Sequence, residues 1–328
     1  MNNQNQNQNQ NLLINKYQPL FLKDFQLDPE MVYLLETFIA TGQLNIMFVG
    51  DTNSGKTSIL NAVMREYFKN CSKKEMDENV LIINSLKEQG IHYYRNEVPV
   101  FCQTCCSIKN KKKMMILDDI DTINEQSQQV FRNCLDKYEN KVSFLASCSN
   151  KHKVIDNLQS RFFLIKLEPL SNHNLHQIAN NIIEKEHLNI LKEAQDFMVN
   201  ISNHSVKSLI HYLEKFKLLG ESITLDVVQR LCTDIHFSFF DEYTLVVQRK
   251  ELHSAIQLLL HVYHRGYSVM DILDNYFLYI KTTLKLNETE KYAVIPFICE
   301  YISIFYNIHE DEVELAFFTN QLIKVFSL

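Results

Sequence analysis

The chain has 328 residues, a net charge of −6, 46% apolar residues and 22% charged residues. That length holds two or three domains with a sizeable core, and the balance is that of a soluble globular protein. A mildly acidic chain has no global positive field, which excludes capture of nucleic acid by net charge; any DNA contact must be local or shared with partners.

The first eleven residues, MNNQNQNQNQN, are low-complexity. They lack the basic and apolar segments of a signal peptide, so residues 1–11 read as a disordered tail of a protein that is not secreted. Four short, nearly continuous apolar runs follow: NIMFVG (45–50), VLIIN (80–84), KMMILDD (113–119) and VSFLASCS (142–149). Runs of this kind are buried strands of a parallel sheet covered on both faces. Helix-like stretches such as 56–68 and 122–138 lie between them, so residues 12–168 read as a three-layer α/β domain. After Pro169 the strand signal fades. Residues 171–234 read as amphipathic helices, and 240–328 as more apolar ones whose apolar residues cover more than one face, which points to burial in an assembly. The longest apolar stretch, 292–306, is short for a membrane span and is broken by Pro296 and Glu300, so no membrane segment is expected. Eight cysteines without a pairing pattern read as free thiols of a reducing compartment.

Gly50-Asp51-Thr52-Asn53-Ser54-Gly55-Lys56-Thr57 fits G-x-x-x-x-G-K-[ST], follows a strand and opens a helix that continues with Ser58. Glycines let backbone amides wrap phosphates, the lysine reaches the β- and γ-phosphates, and the threonine hydroxyl ligates Mg²⁺. MMILDDID (114–121) turns from apolar to acidic at the end of its strand. Beside a phosphate loop, Asp118 there suits a metal-coordinating acid and Asp119 the group that polarises an attacking water. A guanine-reading N-K-x-D segment is missing, because Asn150-Lys151 is followed by His152-Lys153, so ATP is favoured over GTP.

LQSRFF (158–163) carries a sharper resemblance. Ser160-Arg161-Phe162 resembles the Ser-Arg-Cys motif of clamp-loader AAA+ ATPases, specifically the small subunits of replication factor C. In order along the chain, INKYQPLFLKDF (14–25) resembles that family's opening E-K-Y-R-P segment, with Gln18 in place of arginine. NSLKEQGIHYYR (84–95) resembles its R-G-I stretch, and LDDIDTINEQSQQVFRNCLDKY (117–138) its L-D-E-A-D strand end and following helix. EPLSNHNLHQIANNIIEKE (168–186) resembles the start of its lid. The resemblance is detailed over about 14–235 and only helical beyond.

It implies an AAA+ phosphate-loop domain with a parallel sheet over 12–168, a helical lid over 169–235 and an all-α oligomerising collar over 236–328. It implies an ATP-dependent, Mg²⁺-requiring subunit of a hetero-pentamer that opens a ring-shaped sliding clamp of the PCNA type. The clamp is then loaded on primer–template DNA held mainly by its phosphates, in the nucleus or at the cytoplasmic replication site of a large DNA virus. Arg161 would act in trans on a neighbour's γ-phosphate; the polar sensor after the fourth strand is Ser149 or Asn150; and Lys207 aligns with the lid's sensor arginine. Three departures accompany it: Asp119 for glutamate, Lys207 for arginine and Phe162 for cysteine. Asp119 and Lys207 leave open a subunit that holds ATP structurally and only lends Arg161, and a helicase-loading or branch-migration ATPase of the same superfamily is the other alternative.

Four weaker signals remain. CQTCC (102–106), with Cys71 a distant fourth thiolate, offers one knuckle where structural zinc uses two. KNKKK (109–113) reads as a solvated loop with an alternative use against DNA phosphates. Lys87 and Arg95 are candidate phosphate contacts, and QSQQVF (126–131) reads as solvated glutamines with a faint likeness to a clamp-binding peptide.

Overall fold

The structure is a computed structural model that describes residues 12–84, 91–233, 235–283, 285–305 and 309–326. The expected tail at 1–11 and the reading of Lys87 lie outside the described residues. The chain divides into two compact units, one of residues 1–177 with 204–211, the other of 178–203 with 212–328. Two of the divisions, at 177/178 and 211/212, fall inside helices.

The first unit opens with helices α1 (Leu13–Lys16) and α2 (Pro29–Thr41). It is built on five parallel strands: β1 (Ile46–Val49), β2 (Val80–Asn84), β3 (Lys113–Asp118), β4 (Val142–Cys148) and β5 (Phe163–Lys166). Their order is β2-β3-β4-β1-β5. β3 and β4 are buried along their whole length, which is why they read as nearly continuous apolar runs. Successive residues point to opposite faces. Ile46, Phe48, Met114, Ile116 and Leu145 pack beneath α3 (Lys56–Tyr67), which contributes Ile59, Leu60, Val63 and Met64. Met47, Met115, Leu117, Phe144 and Ala146 pack on the other side with α5 (Ile91–Gln103) and α6 (Glu125–Tyr138); α4 (Lys73–Asn79) leads into β2.

β5 has no counterpart in the four expected strands. It pairs with β1 from Ile46↔Phe163 to Val49↔Lys166 and exposes three of its four residues. Its apolar run, Phe162 to Ile165, spans only four residues before Lys166 and overlaps the stretch read for Arg161.

The lysine-rich turn departs from its expectation. Lys111 Nζ donates to the Tyr67 carbonyl and lies over the Tyr67 and Phe68 rings, Lys112 Nζ donates to the Glu139 carbonyl, and Lys113 is buried with its ammonium on Thr104 and over the Phe101 ring. Three of the four lysines thus brace the domain. The cysteine cluster is split: Cys102 packs in the core with Cys134, while Cys105 is exposed. Among the described residues no group of three His, Cys, Asp or Glu side chains converges to hold a metal.

Helix α8 (Asn172–Glu186) begins in the first unit and runs into the second, as does α10 (Val206–Leu219). The second unit's other helices are α9 (Lys192–Ile201), α11 (Leu225–Cys232), α12 (Phe237–Gln248), α13 (Leu252–Tyr263), α14 (Val269–Thr282), α15 (Glu288–Ile304) and α16 (Val313–Val325). Its core is an aromatic cluster of Phe240, Tyr243, Tyr276, Tyr279 and Phe318. The buried phenols are satisfied: Tyr243 pairs with Thr319 at 3.1 Å, Tyr276 with Thr244 at 3.2 Å, and Tyr279 donates to Asp241 at 2.7 Å. Among the described residues no helix is long and apolar enough to cross a membrane.

Candidate nucleotide site

The phosphate loop leaves the carboxyl end of β1, where parallel α/β sheets bind their ligands. Two glycines shape it. A Cβ on Gly50 would lie 2.8 Å from the Leu167 carbonyl oxygen and 2.9 Å from Ser54 Oγ, so only glycine fits. Gly55 caps α3 at φ 85°, a left-handed conformation that costs glycine little. The Lys56 ammonium donates to the carbonyls of Gly50 (2.9 Å) and Asp51 (2.8 Å), and the side chain is only 6% exposed. A lysine so placed holds its ammonium directly over the loop.

One cleft of about 790 Å³, entirely within the first unit, collects Thr52, Asn53, Gly55, Lys56, Thr57 and Ser58 with Asp119, Asp121, Ser149 and Lys207. Gly50, Asp51 and Ser54 shape the loop from behind without lining the cleft. Thr57 Oγ1 donates to both carboxylate oxygens of Asp118, at 3.1 and 3.0 Å. A hydroxyl and a carboxylate side by side are hard oxygen donors of the kind Mg²⁺ takes with phosphate oxygens, so this pair fits that ion.

A buried residue absent from the expectations orders the acidic turn. Ser147, on β4, donates to Asp118 Oδ1 at 2.7 Å and accepts the Asp119 amide N–H at 2.8 Å. In the sequence it is one of two serines, with Ser143, in the otherwise apolar VSFLASC, and nothing there tells them apart. Asp119 then takes φ 52°, ψ 53° and enters a short 3₁₀ turn, Ile120–Thr122. Burial pushes the Asp119 carboxyl above the usual carboxylate range, and Asp118 and Asp121 push the same way, while Lys56 opposes them.

After β4 the two sensor candidates separate. Ser149 lines the cleft; Asn150 does not, and its Oδ1 accepts the His152 amide N–H at 3.0 Å as the cap of a 3₁₀ turn. Lys207, near the start of α10, faces the cleft with Val206 and Ile210. Ile14, Tyr17 and Pro19 form another wall, a use of the opening segment that the residues alone did not announce. Arg161 is not among the lining residues: its Nε donates to Asp136 Oδ1 at 2.9 Å and its guanidinium to Ser160 Oγ at 2.8 Å, with 34% of the side chain exposed.

Residues 46–169 match the model of the AAA family, described as ATPases associated with various cellular activities. A replication factor C small subunit of Methanoregula boonei is 27% identical over 222 residues, covering 67% of this chain and 68% of that protein. A putative replication factor C small subunit of Acanthamoeba polyphaga mimivirus is 22% identical over 88% of both chains. Replication factor C subunit 3 of Schizosaccharomyces pombe is 24% identical over 79% of this chain and 75% of that one. Among solved structures, a RuvB variant from Thermotoga maritima superposes with a TM-score of 0.52 at 13% identity, covering 81% of this chain and 90% of that one, a likeness of fold alone.

Proposed function

We infer that this chain, a relative of the replication factor C small subunits with an AAA ATPase domain over residues 46–169, is an ATP-binding small subunit of a clamp loader of that type. The observation that carries the reading is a division of labour. One cleft brings together Lys56, Thr57, Asp119, Ser149 and Lys207, while Arg161 sits outside it on Asp136. Among the described residues the cleft lining holds no arginine, and a chain that displays one elsewhere is suited to work in pairs with a neighbour.

The phosphate-loop amides and Lys56 bind the β- and γ-phosphates of ATP. Thr57 and Asp118 hold Mg²⁺, which when bound neutralises charge on the phosphate oxygens. Asp119 orients the attacking water, Ser149 contacts the terminal phosphate side, and Lys207 supplies a point charge from the helical lid in place of a forked guanidinium. Arg161 stabilises the transition state in the neighbouring subunit, a role worth about 10³- to 10⁵-fold in rate. The three-part division into 12–168, 169–235 and 236–328 serves this reading: nucleotide domain, lid, and a collar through which five subunits, this one among them, assemble. Nucleotide at the interfaces then tightens a spiral that holds an open sliding clamp, and primer–template DNA triggers hydrolysis and release, at the replication site in the nucleus or in a viral factory.

The test is ATP turnover of the chain assembled with its partner subunits, with and without clamp and primed DNA, beside Lys56→Ala and Arg161→Ala. Clamp and DNA are expected to stimulate turnover, and each substitution to lower it. Loss with Arg161→Ala alone would make this subunit a structural holder of nucleotide. Indifference to clamp and DNA would overturn the clamp-loading role.

A further inference from the structure

We propose that Asp121 is a positioning residue that holds the exit of β4, and with it Ser149, against the acidic turn carrying Asp119; its catalytic consequence rests on the ATPase reading above, its geometry does not. Asp121 Oδ2 accepts two successive amide N–H groups, from Asn150 at 2.9 Å and from Ser149 at 3.3 Å. One oxygen serving both amides fixes the peptide between them, which is the peptide that sends Ser149 into the cleft and Asn150 out of it.

The same two segments are tied a second time on the other side of Asp119. Ser147 joins β4 to Asp118 and to the Asp119 amide before the turn, and Asp121 joins the turn back to residues 149 and 150 after it. With both ties made, the end of β3 and the end of β4 cannot shift independently. Bonds to a carboxylate are about twice as strong as neutral ones, which favours aspartate over serine for the second tie.

The arrangement has a cost the molecule retains. Asp121 Oδ1 is buried and accepts no hydrogen bond, although the residue lines the cleft. A buried carboxylate oxygen without a partner is unfavourable, and such an exception calls for a reason beyond stability. Placement is that reason: an error of about 1 Å in a reacting group's position costs about a hundredfold in rate.

The experiment uses the full chain with Asp121→Ala and Asp121→Asn, the second keeping an acceptor oxygen in place. Amide hydrogen exchange is read at Ser149 and Asn150 in the chain itself. Single-turnover ATP hydrolysis is read in the assembly, with the partners' own phosphate-loop lysines replaced so that this site alone reports. Asp121→Ala is expected to speed exchange at the two amides at least tenfold, with β1 and β3 unaffected. It should slow turnover at least tenfold while the Kd for nucleotide stays within twofold, and Asp121→Asn should recover most of both losses. Unchanged exchange in Asp121→Ala, equal damage in the two variants, or a Kd that rises in step with the lost turnover would each overturn the proposal. If Lys56→Ala leaves turnover of the assembly untouched, the ATPase reading is what has failed, and the exchange data alone decide the role of Asp121. If Asp121→Ala does not fold, a tenfold loss in Asp121→Asn overturns the proposal and near-complete retention supports it.

Discussion

Asp119 is under two demands that pull its side-chain length in opposite directions. Its backbone is left-handed, φ 52°, directly after β3. A short polar side chain tolerates that conformation better than a longer one, because it bonds locally and crowds the next carbonyl less. Reach toward an attacking water asks for the opposite, and the resembling family has glutamate here, one methylene longer. Asp119→Glu is therefore expected to raise turnover about tenfold at unchanged nucleotide affinity, since closing a gap of about 1 Å is worth up to about a hundredfold. The same substitution should cost about 1 kcal/mol of stability from backbone strain. Steady-state ATPase of the assembly and thermal unfolding of the chain check the two halves. A stability loss without a gain in turnover would mean that aspartate already reaches.

At the scale of the element, α6 is braced by one glutamine. Gln128 is fully buried, and its Nε2 donates to the carbonyls of Ile120 (3.3 Å), Ile123 (2.8 Å) and Lys153 (3.0 Å). Its Oε1 accepts the Ile155 amide N–H at 2.9 Å. The helix is thereby fastened to the turn after β3 and to the turn after β4. Gln128→Ala takes the side-chain partner from the Ile123 and Lys153 carbonyls and the Ile155 amide, while the Ile120 carbonyl keeps the Ile123 N–H at 3.1 Å; at about 1–3 kcal/mol for each buried loss, a destabilisation of about 3 kcal/mol is expected in urea unfolding. In the sequence Gln128 sits among Gln126 and Gln129, both exposed, and nothing in QSQQVF marks which glutamine turns inward. The same limit hid Ser147 and kept Ser149 and Asn150 apart only as alternatives: the direction of a single side chain depends on a turn made by distant contacts. What depends on local chemistry was legible. The phosphate loop announces itself through glycines the backbone requires, and β1 to β4 through short, nearly continuous apolar runs of the kind a covered parallel sheet produces. β5 is an exposed edge, and the bracing lysines at 111–113 look in sequence like any solvated charge run.

At the scale of the whole molecule, a chain with net charge −6 whose lysine cluster is largely spent on its own carbonyls and rings is poorly equipped to hold DNA alone. Its proposed work requires assembly, and the second unit exposes apolar side chains suited to contact with a neighbour. Val313 and Phe317 lie four residues apart on one face of α16, 53% and 54% exposed, beside the fully packed Phe318. Phe317→Ser removes apolar surface that the isolated fold does not bury, so its melting temperature should stay within about 2 °C of the parent chain. If the face is covered by a neighbouring subunit, burying that ring stabilises the contact by about 1.5–3 kcal/mol. Its loss then weakens association about ten- to a hundredfold. Native mass spectrometry of the chain with its partner subunits reads the outcome directly. The parent chain should enter a pentamer, and Phe317→Ser should remain largely unassembled at concentrations where the parent is fully incorporated. A closed hexamer would instead favour a different AAA+ machine. Full incorporation of the variant would move the assembly surface off this face of α16 and leave the nucleotide site, in the other unit, untouched by the result.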